Sequence, residues 1–172
     1  TELGMRTIVI GEGAFRYNST LESITITSAV EQIWGEAFLE CTSLTDIALE
    51  GEITSIRASA FSKCVNLTNI KIPDSVEYIG NGAFSECTSL EEVDFGKIDT
   101  GKVKNIEYMF SDCSSLKSIN WNGFDTTNVT NMGYLFQDCT SIQAIDLSSF
   151  DTSNVEDMSS MFTHMGMHST KI

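Results

Sequence analysis

The 172-residue chain is expected to fold as a repeat solenoid with a parallel β-sheet along its concave side. Two observations carry that expectation. Phe recurs at 15, 38, 61, 84, 110, 136 and 162, at intervals of 23 residues and then of 26. Apolar columns also keep step with it. Six residues after each Phe but the last stand Leu21, Leu44, Leu67, Leu90, Leu116 and Ile142. Nine after stand Ile24, Ile47, Ile70, Val93, Ile119 and Ile145, and eleven after stand Ile26, Leu49, Ile72, Phe95, Trp121 and Leu147. A unit of this size cannot bury its own apolar side, so the units must stack and share one core.

Within a unit, the last two apolar positions alternate at period two and therefore point to one side of an extended segment. The resulting L-x-x-I-x-I spacing is that of a leucine-rich-repeat strand. A second apolar segment precedes each Phe. In the shorter units it is Val30, Ile33, Ala37, Phe38 and Val76, Ile79, Ala83, Phe84, with Ile53 and Ile56 in the unit between. In the longer units it is Val103, Ile106, Met109, Phe110, then Val129, Met132, Leu135, Phe136, then Val155, Met158, Met161, Phe162. Spacings of three and four put these residues on one face of a short helix, and Asp99, Asp125 and Asp151 stand where a turn or helix would start. Glycines ahead of Ala-Phe in the shorter units favour a tight turn or 3₁₀ piece instead. The convex side is thus expected to be extended or 3₁₀ in residues 1–95 and more helical in residues 96–172. The two segments are expected to continue as one solenoid.

Charge narrows the partners. Ten Lys and Arg against 24 Asp and Glu give a net of −14. Nucleic-acid binding needs clustered cations, and an anionic membrane surface would repel the chain. No apolar run is long enough to span a bilayer, so no membrane insertion by this segment is expected. Leu, Ile, Val and Phe supply 45 residues, enough for a packed core. Thr1 is not an initiator Met and no signal segment precedes it, so the chain reads as a processed or excised piece.

Stretches such as CTSLTDIALEGEITSIRASAF and CVNLTNIKIPDSVEYIGNGAFSECTSL resemble the BspA-like leucine-rich repeat. The later stretch FDTTNVTNMGYLFQDCTSIQAIDLSSFDTSNVEDMSSMF resembles a related surface-protein repeat whose hallmark is FDTSNVTxMxxMF followed by a C-S-L strand. Together they cover about residues 8–162. The resemblance implies a solenoid from a secreted or cell-surface protein, often of anaerobic host-associated bacteria, and a family associated with adhesion to host proteins or other cells. It brings no catalytic residues and no cofactor. After Phe162 the pattern lapses, with Met165 and His168 where Cys and Leu are expected.

Five Cys at 41, 64, 87, 113 and 139 each follow a Phe by three residues and so form one column. A buried, reduced ladder is expected, because the C-x-x-C spacing of a zinc site is absent and free Cys packs as a small hydrophobe. The tail HMGMH, with His164 and His168, carries a soft-metal donor set or is an ordinary terminus. Asp99, Asp125 and Asp151 are the best calcium candidates, yet one carboxylate per coil falls short of the six to eight oxygens calcium takes. No metal site is therefore expected. No hydrolase or phosphate-loop motif is present, and the only His residues lie in the tail, so an enzyme is not expected. A polysaccharide-acting enzyme is the weakest of the alternatives.

Binding is expected on the solenoid surface. Outward strand positions form two short-chained, acidic columns, in which Asp46, Glu92, Asp94, Asn120 and Asp146 are the candidate contacts for a protein or glycan ligand. Tyr108 and Tyr134 stand two residues before their Phe, where other units carry Gly13, Glu36, Ser59, Gly82 and Ser160. Stacked, they form an amphipathic patch. Trp34 and Arg57 share another column and are placed to stack. The leading expectation is a monomeric, extracellular or cell-surface adhesion module, with a structural spacer as its rival.

Overall fold

The computed structural model describes residues 7–27, 29–166 and 169–171. Each coil has three sides. The L-x-x-I-x-I segments form the first, with strands β2 (Ser23–Ile26), β4 (Asp46–Leu49), β6 (Asn69–Lys71), β8 (Glu92–Asp94), β9 (Ser118–Asn120), β10 (Ala144–Asp146) and β11 (Ser169–Lys171). All pairing is parallel, in the register set by the repeat: Ile24 faces Ile47, and Ile70 faces Val93, which faces Ile119. The V-x-x-I segments form the second side. There β1 (Val9–Ile10), β3 (Gln32–Ile33), β5 (Ser55–Ile56) and β7 (Tyr78–Ile79) make a four-stranded parallel sheet. Single bridges from Asn105 to Asn131 to Asp157 continue it in the longer units.

The third side carries the Phe ladder and corrects one expectation. The segments ending at Phe110, Phe136 and Phe162 are not helical; the described residues contain no helix. They form the same chain of tight turns as the shorter units. Hydrogen bonding explains why. The N–H groups of Tyr108, Phe110 and Asp112 donate to the carbonyls of Gly133, Leu135 and Gln137 in the next coil, at 3.0, 3.1 and 2.8 Å. Only the alternate N–H groups, those of Met109, Ser111 and Cys113, turn back onto their own chain, three residues behind. A helix would direct every N–H back along itself and leave successive coils unjoined. The alternation needs left-handed backbone two residues before and two after each ladder Phe, as at Tyr108 (φ 57°) and Asp112 (φ 60°).

Rings of the ladder lie nearly parallel from Phe15 to Phe162, with centroids 5.0 to 6.2 Å apart. Phe38, Phe61, Phe84, Phe110 and Phe136 are wholly buried. The stack crosses the change of period without a break, Phe84 standing 5.7 Å from Phe110. The longer coils each pack a further apolar residue against the core, Ile98, Phe124 and Phe150 in turn, and Thr100 and Thr126 are buried beside them. Phe95, Trp121, Phe124 and Phe150 build a second aromatic cluster there, several of its pairs edge to face.

The Asp-Thr pair of these longer coils is structural. Buried Thr126 donates its hydroxyl to the Asp151 carbonyl at 3.1 Å and accepts from the Asp151 N–H at 2.8 Å. Thr100 does the same with Asp125 one coil earlier. Replacing Thr126 by Val keeps the shape but orphans both Asp151 groups, which should cost about 1–3 kcal/mol. Thr126→Ser, which keeps the hydroxyl, should lose markedly less. Denaturant midpoints of the two variants check this, and equal losses would mean that the methyl group matters more than the hydrogen bonds.

Candidate functional site

Five candidate residues lie on the strand face. Asp46 and Glu92 are exposed at the starts of β4 and β8. Asp94, Asn120 and Asp146 stand at the ends of β8, β9 and β10, and their side-chain oxygens accept from the N–H two residues on, at 2.9, 3.1 and 2.9 Å. These are Asx turns that close each strand. Asn120 also donates to the Asp94 carboxylate at 2.8 Å, tying two coils together. Much of the hydrogen-bonding capacity of these three is thus committed to the fold.

Both aromatic pairs are assembled. The Tyr108 and Tyr134 rings stack with centroids 4.6 Å apart and planes 10° from parallel. Each is a left-handed residue of the turn side, and the flanking coils carry Gly82 and Ser160 in the same column. Arg57 lies with its guanidinium carbon 5.3 Å from the Trp34 ring centre. Gln32 completes this second group, accepting from Trp34 Nε1 at 3.0 Å and from Arg57 at 3.4 Å. Sequence reasoning missed Gln32. Its signal was the period of two along β3, which puts it on the side of Trp34.

Asp99, Asp125 and Asp151 do not converge. Each carboxylate accepts the N–H two residues on, at 3.2, 2.8 and 2.9 Å. Hydrogen bonds from Thr127 and Ser153 hold the Asp125 and Asp151 carboxyls below the usual carboxylate range. Among the described residues no three His, Cys, Asp or Glu side chains gather as a metal site. His164 continues the repeat as a left-handed turn residue and contacts the Asp138 carboxylate at 2.9 Å. Met167 and His168 lie outside the described residues.

The five cysteines are buried free thiols. Each donates its S–H to the carbonyl of the Phe one coil earlier, Cys139 to Phe110 at 3.0 Å for example. Removal from water disfavours the thiolate: burial pushes Cys87 and Cys139 up to about 12 and raises the other three as well. These are packing groups and not nucleophiles at neutral pH.

One feature of the strand face was not expected. The ladder breaks twice, between β4 and β6 and between β9 and β10, each pair belonging to separate sheets. An opening of about 360 Å³ lies at the first break, lined by Ile47, Leu49, Asn69 and Lys71 among others. A cavity of about 150 Å³ lies at the second, lined by Lys117, Ile119, Trp121 and Ile145 among others. Larger openings of about 750 and 580 Å³ adjoin its two ends.

The fold has known counterparts. The chain is similar to the crystal structure of a leucine-rich repeat protein of T. pallidum, at 25% identity and a TM-score of 0.56, covering 81% of this chain and 73% of that one. A leucine-rich repeat protein from Eubacterium ventriosum matches at 21% identity and a TM-score of 0.59, over 86% of this chain and 44% of that one. A structure described as a leucine rich cell surface protein from Faecalibacterium prausnitzii matches at 24% and 0.50, over 86% and 48%. The chain therefore spans less than half the length of the latter two. No curated protein sequence matches it. The model of the BspA type leucine rich repeat region, in six copies, matches residues 8–143 and again 57–171. With nearly the whole chain matched, and with the ladders of Phe, Cys and strand residues in place, the protein belongs to the BspA-type leucine-rich repeat family.

Proposed function

We propose that this chain is a non-enzymatic binding segment of a surface-exposed protein, engaging a protein or glycan partner through the outer face of the solenoid. The stacked Tyr108–Tyr134 pair carries the reading. Two stacked amphipathic rings, Tyr108 exposed and Tyr134 half-buried, stand on a turn side where the sibling coils present Gly, Ser or Glu, and such rings anchor interfaces. The net charge of −14 favours a partner with basic character. The likeness to a protein described as a cell surface protein supports an extracellular or surface setting. Trp34 and Arg57, with Asp46 and Glu92 on the strand face, are the secondary contacts of this reading, and the chain acts as a monomer.

The test is a screen of the purified chain against arrayed extracellular-matrix proteins and glycans at physiological salt. A saturable hit should weaken about ten-fold or more when Tyr108 and Tyr134 are both replaced by Ala, as loss of an interface anchor does. Unchanged affinity in that double variant would remove the aromatic pair from the site. A second reading, a spacer that holds another domain outward, is favoured by the unbroken coil-to-coil hydrogen bonding of the turn side. A blank screen from folded protein would select it.

A further inference from the structure

The four-stranded sheet on the second side of the coil presents an outer face of its own. Ile33, Ile56 and Ile79 are wholly buried, so the residues on either side of each point outward. Strand register aligns Gln32, Ser55 and Tyr78 in one outward column. Backbone hydrogen bonds align Trp34, Arg57 and Gly80 in the next, their N–H groups donating to the Ile10, Ile33 and Ile56 carbonyls, each at 2.9 Å. Trp34 and Tyr78 are 38% and 39% exposed. Two large rings thus stand on this face, with the small residues Ser55 and Gly80 beside Arg57 and Tyr78.

Arg57 is held there by neutral groups. Its guanidinium carbon lies over the Trp34 ring, and one Nη donates to Gln32 Oε1 at 3.4 Å. Trp34 Nε1 fixes the same Gln32 oxygen at 3.0 Å. Both contacts are with the preceding coil, so the side chain leans away from Gly80. Its remaining N–H groups have no hydrogen-bond partner among the described residues. Nor does any described carboxylate pair with Arg57, although the chain holds 24 acidic residues. Arg16, Lys63, Lys102 and Lys117 each pair with a Glu, and Lys102 takes Glu77, the neighbour of Tyr78. A pinned, planar fork of donors with no anion in place matches a carboxylate.

We propose that Arg57 is the centre of a binding site for a sugar acid, a hexuronate carried on a glycan. The carboxylate takes the outer N–H groups of Arg57, while Trp34 and Gln32 hold the guanidinium in place. The sugar ring lies over Ser55 and Gly80, with its C–H face against the exposed Tyr78 ring and its hydroxyls toward Ser55 and water. Charge sets how much acid the ligand carries. A net of −14 repels a polyanion, so the site takes an isolated acidic sugar on an otherwise neutral glycan. At physiological ionic strength carboxylates beyond about 8 Å are largely screened, which leaves the unpaired Arg57 to govern a single charge. The inference rests on the reading of Trp34 and Arg57 as partner contacts and names their ligand. It does not need Tyr108 and Tyr134, which stand on the turn side.

The experiment titrates methyl β-glucuronide into ¹⁵N-labelled protein and follows the Trp34 indole and Arg57 Nε–H resonances. Saturable shifts of both are expected, with the buried Trp121 indole unmoved. Methyl β-glucoside, with a hydroxymethyl group in place of the carboxylate, should bind about ten-fold or more weakly, since it forfeits a charge-assisted pair of hydrogen bonds. Arg57→Gln should erase that preference and Tyr78→Ala should weaken both ligands, with folding confirmed by slow labelling of Cys41 and Cys64. Replacing Tyr108 and Tyr134 together by Ala should leave glucuronide binding unchanged, so the two surfaces succeed or fail separately. N-acetylaspartate N-methylamide offers the same carboxylate on a peptide and should bind more weakly than the glucuronide. No shift at Trp34 or Arg57 up to the solubility limit would overturn the proposal. So would equal binding of the glucoside, equal or tighter binding of the aspartate derivative, or an Arg57→Gln protein that still prefers the glucuronide.

Discussion

Raising the pH above about 8.5 should unfold the protein, with a loss of up to roughly 10 kcal/mol by pH 10. The five thiols are buried and donate hydrogen bonds to Phe carbonyls, so in the folded chain they keep their protons. Burial places Cys87 and Cys139 near 12 and raises Cys41, Cys64 and Cys113. The unfolded chain releases those protons from about pH 8.5. The unfolded state then binds fewer protons than the native one, and stability falls as pH rises until the folded thiols themselves titrate. Below about pH 7 the ladder contributes almost no slope. Each thiol removes about 1.4 kcal/mol per pH unit, and five act together, which exceeds what a domain of this size holds in reserve within two units.

Urea midpoints between pH 7 and 10, under reductant, would measure this. Replacing Cys64, Cys87 and Cys113 by Ala should lower stability at pH 7 through lost packing yet flatten the alkaline slope by about three-fifths, because Lys and Tyr titration is common to both proteins. Parallel slopes would show that the thiols are not what fails at high pH.

The columns behind that prediction were legible in the sequence because a solenoid converts a fixed interval into a physical stack. Phe15 to Phe162, Cys41 to Cys139 and the Ile24 to Ile145 column needed no further information. The turn side misled because spacings of three and four, as in Ile106, Met109 and Phe110, suit a chain of tight turns as well as a helix. The distinguishing signal is left-handed backbone, and Glu36, Lys63, Tyr108 and Asp138 occupy those positions where Gly would have announced them. The roles of Thr100 and Thr126 depend on a carbonyl and an amide in the next coil, which no pattern within one unit shows.

Phe84→Ala should cost about 3–5 kcal/mol and lower the thermal midpoint by roughly 6–20 °C. The ring is wholly buried between Phe61 at 5.8 Å and Phe110 at 5.7 Å, so two interfaces lose contact from one truncation. It also sits where units of 23 residues give way to units of 26. Stability in such an array is a sum of unit terms and nearest-neighbour terms, and cooperativity fails first at the weakest interface. Truncation there should therefore divide melting into two calorimetric transitions, with amides of residues 7–83 and of residues 96–166 exchanging at separate rates. Phe15→Ala provides the contrast. Phe15 is only half-buried and stacks on Phe38 alone, so its loss should cost about half as much or less and leave one transition. If Phe84→Ala instead melts in a single step with the midpoint of Phe15→Ala, the ladder is not what couples the coils. The coupling would then reside in the axial hydrogen bonds from Phe84 N–H to the Met109 carbonyl and their counterparts on every turn, which the substitution leaves intact.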